Sequence, residues 1–521
     1  MAGRLEFNFR FGRPQNQSNP SPDDDTPLRI LVLGNFSGRD IAADSHPRLP
    51  LLQRKVSRID IDNFDQVMTR FAPLLNLGTE GATSSAEVLE FRELEDFRPE
   101  QLGKKLNAVS QLQELRIKLL SPASFTQAAA ELRQGLLADT SLSQQTAKTP
   151  STPVVKSVED DAATLERILG QRPSGDTTTA KGNIGGDAAV NVHQMINQAV
   201  GPYIVPKADP HQGVYLAAID QAIGDQIRGV LHAPSFQTLE ATWRSLHKLI
   251  SNIEDDSQIQ IHLLDVTYEE LLAEVPTDDE QLRQWSLFRR LTNDSIQPDG
   301  TSRWSLIVGD YQFAARPNDL ALLSALAVTV ESLQTPFISS AHSSLLGCPS
   351  LTGCPDPTDW QPLDAETGRY WQALRQSSAA AWVGLALPRV LLRMPYGKAT
   401  DEVEGFAFEE FSQERRHEDY LWGNPAYVCA EIITAAFAED AWSMQLGGQL
   451  DIGNLPAYTY REDGEDKLQP CAEVAFGERT ADAMLTRGLM PLLSWKDRNM
   501  VRFLRFQSIA DPISPLSGPW S

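Results

Sequence analysis

Cysteine is scarce: four thiols, Cys348, Cys354, Cys429 and Cys471, in 521 residues. That is too few for a disulfide framework in so long a chain and fits a reducing compartment. Basic residues are in deficit, 46 Lys and Arg against 69 Asp and Glu, for a net charge of −23 and a pI near 4.8. Such a surface repels nucleic acid and anionic membrane, because binding either needs clustered Lys and Arg; the charge itself reads as a solvated surface. No run of eighteen apolar residues occurs, so no membrane insertion is expected. The opening MAGRLEFNFRFGRP lacks an apolar core of signal-peptide length, which points to the cytoplasm. Catalytic signatures are missing too: there is no G-x-S-x-G elbow, H-E-x-x-H helix or Walker loop. His342, Cys348 and Cys354 are spaced by six, outside zinc spacings, and the glycines and prolines around the thiols read as loop. No catalytic set, cofactor or metal is expected.

What the chain has is periodicity. Its 41% hydrophobic content suits a large core, and its length suits two to four domains at about 150 residues each. Within residues 215–266, Ile219, Ile223, Ile227 and Leu231 recur every fourth residue and line one helix face. Ala233-Pro234 breaks the pattern, because proline pushes the residue before it out of the helical region. Phe236, Leu239, Trp243, Leu246 and Ile250 predict a second helix with Trp243 in its packed seam. Residues 259–263 alternate as a strand does, and Thr267 with Glu270 forms a capping box for a helix over 268–274.

The flanks add further elements. Leu5, Phe7, Phe9 and Phe11 alternate with polar residues and predict a strand with one aromatic face, on a loose tether over 15–25. Such a strand either pairs within its own domain or adds to the edge of another sheet. Residues 28–33 read as a buried strand, 59–65 as an alternation running into a helix near Asn63, 91–100 as strand, turn and helix start, and 106–120 as an amphipathic helix. Later come a strand over 305–308 ending at Gly309-Asp310, a helix over 319–333, and strands over 336–338 and 381–387. Asn424 caps a helix whose first position is Pro425; it reads as buried on nearly every side, running to about Trp442 and stopped by Gly447-Gly448. The alternation argues for a mixed α/β fold. Residues 139–213 carry Pro-, Gly-, Ser- and Thr-rich stretches and read as a linker with one short helix; residues 506–521, with three prolines, read as a loose extended tail.

Leu239-Glu240-Ala241-Thr242-Trp243-Arg244 is not a general helix motif. With Ile219-Asp220, Leu231-His232 and Phe236-Gln237 it resembles the large subunit of the type VI secretion contractile sheath. The motifs Val308-Gly309-Asp310-Tyr311-Gln312-Phe313, Pro336-Phe337-Ile338, residues 383–397, and Leu421-Trp422-Gly423-Asn424-Pro425 follow in the same order. Upstream, Pro27-Leu28, Arg54-Lys55, Ile59-Asp60-Ile61-Asp62-Asn63-Phe64 and Asp96-Phe97-Arg98-Pro99-Glu100 resemble the small subunit of that sheath. The resemblance implies a natural fusion in the α/β class, with mixed sheets, flanking helices and two intertwined, phage-tail-sheath-like halves. The expected division is 1–138 small-subunit-like, 139–213 linker, 214–505 large-subunit-like and 506–521 tail. No helix here matches the handle gripped by the family's recycling ATPase, and the chain stops at Ser521, where a full large subunit carries a further C-terminal region.

The resemblance implies a structural subunit in the bacterial cytoplasm. Its expected partners are copies of itself or separate small and large sheath subunits, an inner-tube hexamer protein, a baseplate and a recycling ATPase, with no nucleic acid and no membrane. Contraction then needs only two packings separated by a few kcal/mol. The alternative is a cap, terminator or adaptor that docks on true sheath without polymerising. A third reading, from another class, is a cytosolic α/β hydrolase, since fold alone excludes no activity. Candidate interface residues are Leu5, Phe7, Phe9 and Phe11, together with Glu240, Arg244, Arg389 and Arg393. Glu240 and Arg244 either pair along their helix or meet a neighbour. Arg389 and Arg393 read as surface charge or as an edge aimed at an acidic partner. His232 is expected to meet the last carbonyls of its helix, and Cys429 to be a small core residue.

Overall fold

The computed structural model describes residues 26–38, 49–77, 88–121, 124–130, 212–255, 257–295, 304–411, 415–446, 450–462, 464–495 and 498–520. The expected strand over 5–11, nearly all of the linker and the Gly447-Gly448 stop lie outside these residues. The chain divides into two compact units, residues 1–110 with 220–521, and residues 111–219. Within the smaller unit the Gln212 amide donates to the Leu119 carbonyl at 2.6 Å, and the Phe125 and Tyr215 rings meet edge to face at 6.0 Å.

In chain order the first elements are β1 (Leu28–Gly34), β2 (Ser57–Ile59), α1 (Phe64–Phe71), β3 (Leu74–Asn76), β4 (Val88–Glu90), α2 (Pro99–Lys105) and α3 (Asn107–Leu120). After the linker come α4 (Gln212–Leu231), α5 (Pro234–Ser251), β5 (Ile259–Asp265), α6 (Tyr268–Ala273), α7 (Asp279–Gln284), α8 (Ser286–Ser295), β6 (Leu306–Phe313), α9 (Pro317–Leu333) and β7 (Phe337–Ala341). The last part holds α10 (Ala365–Arg375), β8 (Val383–Leu387), β9 (Val390–Leu391), β10 (Trp422–Gly423), α11 (Pro425–Asp440), β11 (Asp451–Ile452), β12 (Tyr458–Glu462), β13 (Glu465–Gln469), α12 (Glu478–Thr486), β14 (Met490–Ser494) and β15 (Val501–Phe503).

Among the described residues, nine strands form one sheet in the order β11-β15-β14-β8-β7-β6-β1-β5-β2. The six from β14 to β5 are parallel, and the antiparallel strands sit at the two ends. β1 lies inside this sheet, parallel to β5 from Leu28 opposite Ile259 to Gly34 opposite Asp265, and parallel to β6 on its other side. Its sequence, LRILVLG, is apolar throughout except for the partly buried Arg29, as a strand covered on both faces requires. Leu31 and Leu33 belong to the core that contains Leu322, Leu326, Val330 and Leu333 of α9, while α11 packs on β6, β7 and β8, and α5 on α11. A segment that reads as small-subunit-like therefore supplies an interior strand of a sheet built otherwise from β2 and the large-subunit-like part.

Most expected elements are present, and three details differ. β6 does not end at Gly309-Asp310 but continues to Phe313 through a register shift against β7 between Val308 and Gln312. The Asn424 side-chain amide holds that irregular backbone, lying 3.1 Å from the Tyr311 carbonyl and 3.4 Å from that of Gly309. α11 is capped as expected, with Asn424 Oδ1 accepting from Ala426 N at 2.9 Å, but ends at Asp440 with its last turn exposed. Residues 506–520 are not loose: Gln507, Ser508 and Ile509 are buried, and Ile509 N donates to the Val383 carbonyl at 2.9 Å. No helix among the described residues is long and apolar enough to cross a membrane.

Candidate functional site

α5 is the element on which the halves meet. Ala233 is extended (φ −67°, ψ 128°) and Pro234 occupies the first helical position, where its missing N–H costs nothing. Phe236, Leu239, Trp243, Leu246 and Ile250 are all buried. Trp243 is fully buried and its indole N–H donates to the Phe36 carbonyl at 3.1 Å. The rings of Phe36, Phe64 and Phe71 surround it with centroids 5.8, 5.6 and 6.1 Å away, in the edge-on geometry aromatic quadrupoles favour. Phe236 does the same against the stacked pair Phe91 and Phe97. All five of these phenylalanine partners come from the small-subunit-like segment.

The turn that presents Phe36 is fixed from the other half. Asp265, at the end of β5, accepts from Phe36 N at 2.9 Å, Ser37 N at 3.1 Å and Ser37 Oγ at 2.8 Å. Gly38 has φ +65°, and a Cβ there would lie 2.5 Å from the Leu74 carbonyl oxygen, so only glycine fits. Nearby, Arg54 grips both carboxylate oxygens of Glu270, at 2.9 and 2.6 Å. Glu270 also closes the expected capping box with Thr267.

The flank of α5 next to Trp243, one helical turn away at Glu240, is charged. Glu240 is fully buried; Arg244 Nε lies 2.7 Å from it and Arg393 Nε 3.0 Å. Arg393 in turn donates to Glu410 at 2.7 and 3.1 Å, and Glu410 accepts from Tyr396 N at 2.8 Å. Arg244 donates to the Tyr396 hydroxyl at 3.0 Å, and the Arg393 guanidinium lies over the Tyr396 ring, 4.3 Å from its centroid. Two guanidinium groups thus balance two carboxylates. Burial alone would raise the Glu410 carboxyl, but the charge of Arg393 pulls it down to about 2. Burial likewise opposes the Arg393 charge, and Glu240 and Glu410 overcome it, so this guanidinium stays protonated. At the outer rim Arg98 pairs with Asp401 at 2.9 and 3.0 Å. Thr242, on the flank of Trp243 away from Glu240, donates to Asp310 at 2.6 Å, and Asn424 approaches the same carboxylate at 3.2 Å. Burial raises the Asp310 carboxyl, against the hydrogen bonds of Thr242, Asn424 and Tyr427.

The structure brings Glu240, Arg244 and Arg393 together. Arg393 is not surface charge: its side chain is 9% exposed and committed to two buried carboxylates. Arg389 lies in a second cluster, 2.6 Å from Glu473 and 3.2 Å from Glu418. His417 and Arg389 hold the Glu473 carboxyl at about 2 despite burial, which alone would raise it. His417, Glu418 and Glu473 place ligand atoms within 4.8 Å of one another, but the Arg389 guanidinium already fills the place of a cation. His232 does not meet the end of its helix; its ring lies between Glu410 and Asp419, at 3.7 and 3.6 Å, and over Phe411. Cys429 is a buried thiol on α11. Sequence reasoning missed Tyr396, 152 residues from Arg244, Asp401, 303 residues from Arg98, and Glu410, which is tied to Glu240 through Arg393. The available signal was two arginines in a proline-flanked apolar run, a costly placement unless carboxylates await them.

In chemical terms the site is a joint. Within the Leu239–Arg244 run, Leu239 and Trp243 meet the 36–38 turn, Thr242 meets Asp310, and Glu240 and Arg244 meet residues 393–396. Two families match the chain. The VipB family, described as a tail sheath N-terminal domain, matches residues 214–510, and the VipA family of the type VI secretion system matches residues 15–149. A curated relative, the type VI secretion system sheath protein TssC1 of Pseudomonas aeruginosa, is 32% identical over 304 residues, covering 57% of this chain and 61% of its own length.

Proposed function

The chain belongs to the type VI secretion sheath family, with both sheath domains in one polypeptide, and we propose that it serves as a preassembled sheath protomer in the bacterial cytoplasm. The observation that carries this reading is β1, from the VipA-like segment, seated between β5 and β6 of the VipB-like part and locked there by α5. A strand so placed makes the two halves one folding unit, as a lattice subunit that transmits force requires. In this reading protomers assemble with copies of themselves, or with separate small and large subunits, around an inner-tube hexamer protein, and contraction exchanges one lattice packing for another. A baseplate and a recycling ATPase are further partners. The 5–11 segment is the strand offered to a sheet edge; Glu240, Arg244, Arg389 and Arg393 shape the 389–411 surface by holding it from beneath.

Negative-stain microscopy of the purified chain, alone and mixed with a separate sheath pair, tests this. Long tubes from this chain alone, or its incorporation along mixed tubes, is the expected result. Decoration confined to tube ends would replace the protomer with a cap or adaptor. Particles indifferent to sheath would overturn both.

A further inference from the structure

A groove of about 660 Å³ runs between α11 and the sheet edge at β11, within the range of about 300–1,000 Å³ of ligand-sized pockets. Ile432, Ala435, Leu446, Leu450 and Ile452 supply the apolar part of its lining beside Ser443, Gln445 and Asp451, and Glu439 and Asp440 stand exposed. β11 is the last strand of the sheet; among the described residues it pairs with β15 on one side only. The described chain begins beside this groove: the Trp442 indole N–H donates to the Thr26 carbonyl at 2.7 Å, and Trp442 lies next to the groove residue Ser443 and two residues after Asp440.

We propose that the N-terminal segment Leu5, Phe7, Phe9 and Phe11 docks in cis on this edge, its aromatic face in the groove. The segment alternates as an added strand must, placing its aromatic residues on one side. It is also locally basic in an acidic chain: Arg4, Arg10 and Arg13 against Glu6 alone, opposite a groove that carries the exposed Glu439 and Asp440. Residues 12–25 can span up to about 48 Å when extended, far more than a groove beside Thr26 demands. A short tether sets an effective concentration of about millimolar, so the chain's own edge wins over a second copy at micromolar protein. Docked in this way, the strand must leave its own edge before it reaches a neighbour's, which keeps an unassembled protomer from pairing at random. This last step rests on the sheath reading; the docking itself does not.

The test uses the full chain with Cys354→Ser and a cysteine pair, Phe11→Cys with Ala435→Cys, oxidised by copper phenanthroline. A disulfide within the monomer, formed at a rate independent of protein concentration, is expected. Adding Glu439→Lys and Asp440→Lys is expected to slow it about tenfold at low salt, the difference shrinking as salt rises. A control pair, Phe11→Cys with Arg58→Cys at the opposite sheet edge, is expected to stay reduced. No disulfide at Ala435, equal rates at both edges, or a disulfide formed only between chains would each overturn the proposal. Tubes scored on the same preparations separate the two readings: tubes without the crosslink sink the cis docking alone, and the crosslink without any sheath association sinks the sheath role alone.

Discussion

Two flanks of α5 are held by different physics: the aromatic one joins the two sheath-like parts, and the charged one ties α5 to residues 393–410 of its own part. On one, Trp243 and its phenylalanine neighbours exclude water, and the only polar group involved is an indole N–H given to a carbonyl. On the other, Glu240, Arg244, Arg393 and Glu410 form a neutral buried quartet. The aromatic side gains free energy in rough proportion to area and is indifferent to pH. The charged side gains little net energy, because desolvation offsets attraction, but it is costly to break and fixes geometry.

Trp243→Ala should cost about 3–5 kcal/mol, the usual penalty for emptying a large aromatic site in a core. Denaturant unfolding measures it, and a loss under 1 kcal/mol would show that the aromatic side is not the stabilising one. Glu240→Ala should cost about 3 kcal/mol by leaving Arg244 and Arg393 short of a counter-charge. Replacing Glu240, Arg244, Arg393 and Glu410 together by apolar residues of similar size should recover much of that loss, since no member is then left uncompensated; failure to recover would mean packing, not charge, is what Glu240 provides.

Acid separates the two sides without mutation. The folded-state pKa of Glu410 is about 2, below the ordinary value of about 4.3. A carboxyl depressed on folding adds stability that is fully present above about pH 4.3 and is lost as pH falls through 2. Stability should therefore drop across that window, and Glu410→Gln should flatten the drop while Trp243→Ala leaves its slope unchanged. The smallest effect belongs to Arg98→Ala: its pair with Asp401 is 32% and 42% exposed, so a loss of about 1 kcal/mol or less is expected, shrinking in salt.

The aromatic side was legible in the sequence because its signal is local. Phe236, Leu239, Trp243, Leu246 and Ile250 repeat with the helix period, and the apolar run of 28–33 announces a buried strand. The charged side was not, because its partners are distant: Arg393 finds Glu240 across 153 residues. Polar spacing along a helix exposed the Glu240–Arg244 pair but not the buried arginine that completes it. His232 illustrates the same limit, since its helix end suggested a capping role and tertiary packing gave it Glu410 and Asp419 instead. Gly309-Asp310 looked like a strand end, and only the distant Asn424 amide lets the strand run on.

The most direct test is to cut the chain between its two sheath-like parts. A protease site inserted between residues 174 and 175, cleaved after folding, leaves β1 joined to the rest of the sheet only by noncovalent contacts. The account predicts that the two fragments stay together through size-exclusion chromatography at nanomolar concentration and melt in a single transition. Fragments that separate without denaturant would contradict it, because β1 would then not be an interior strand of a shared sheet.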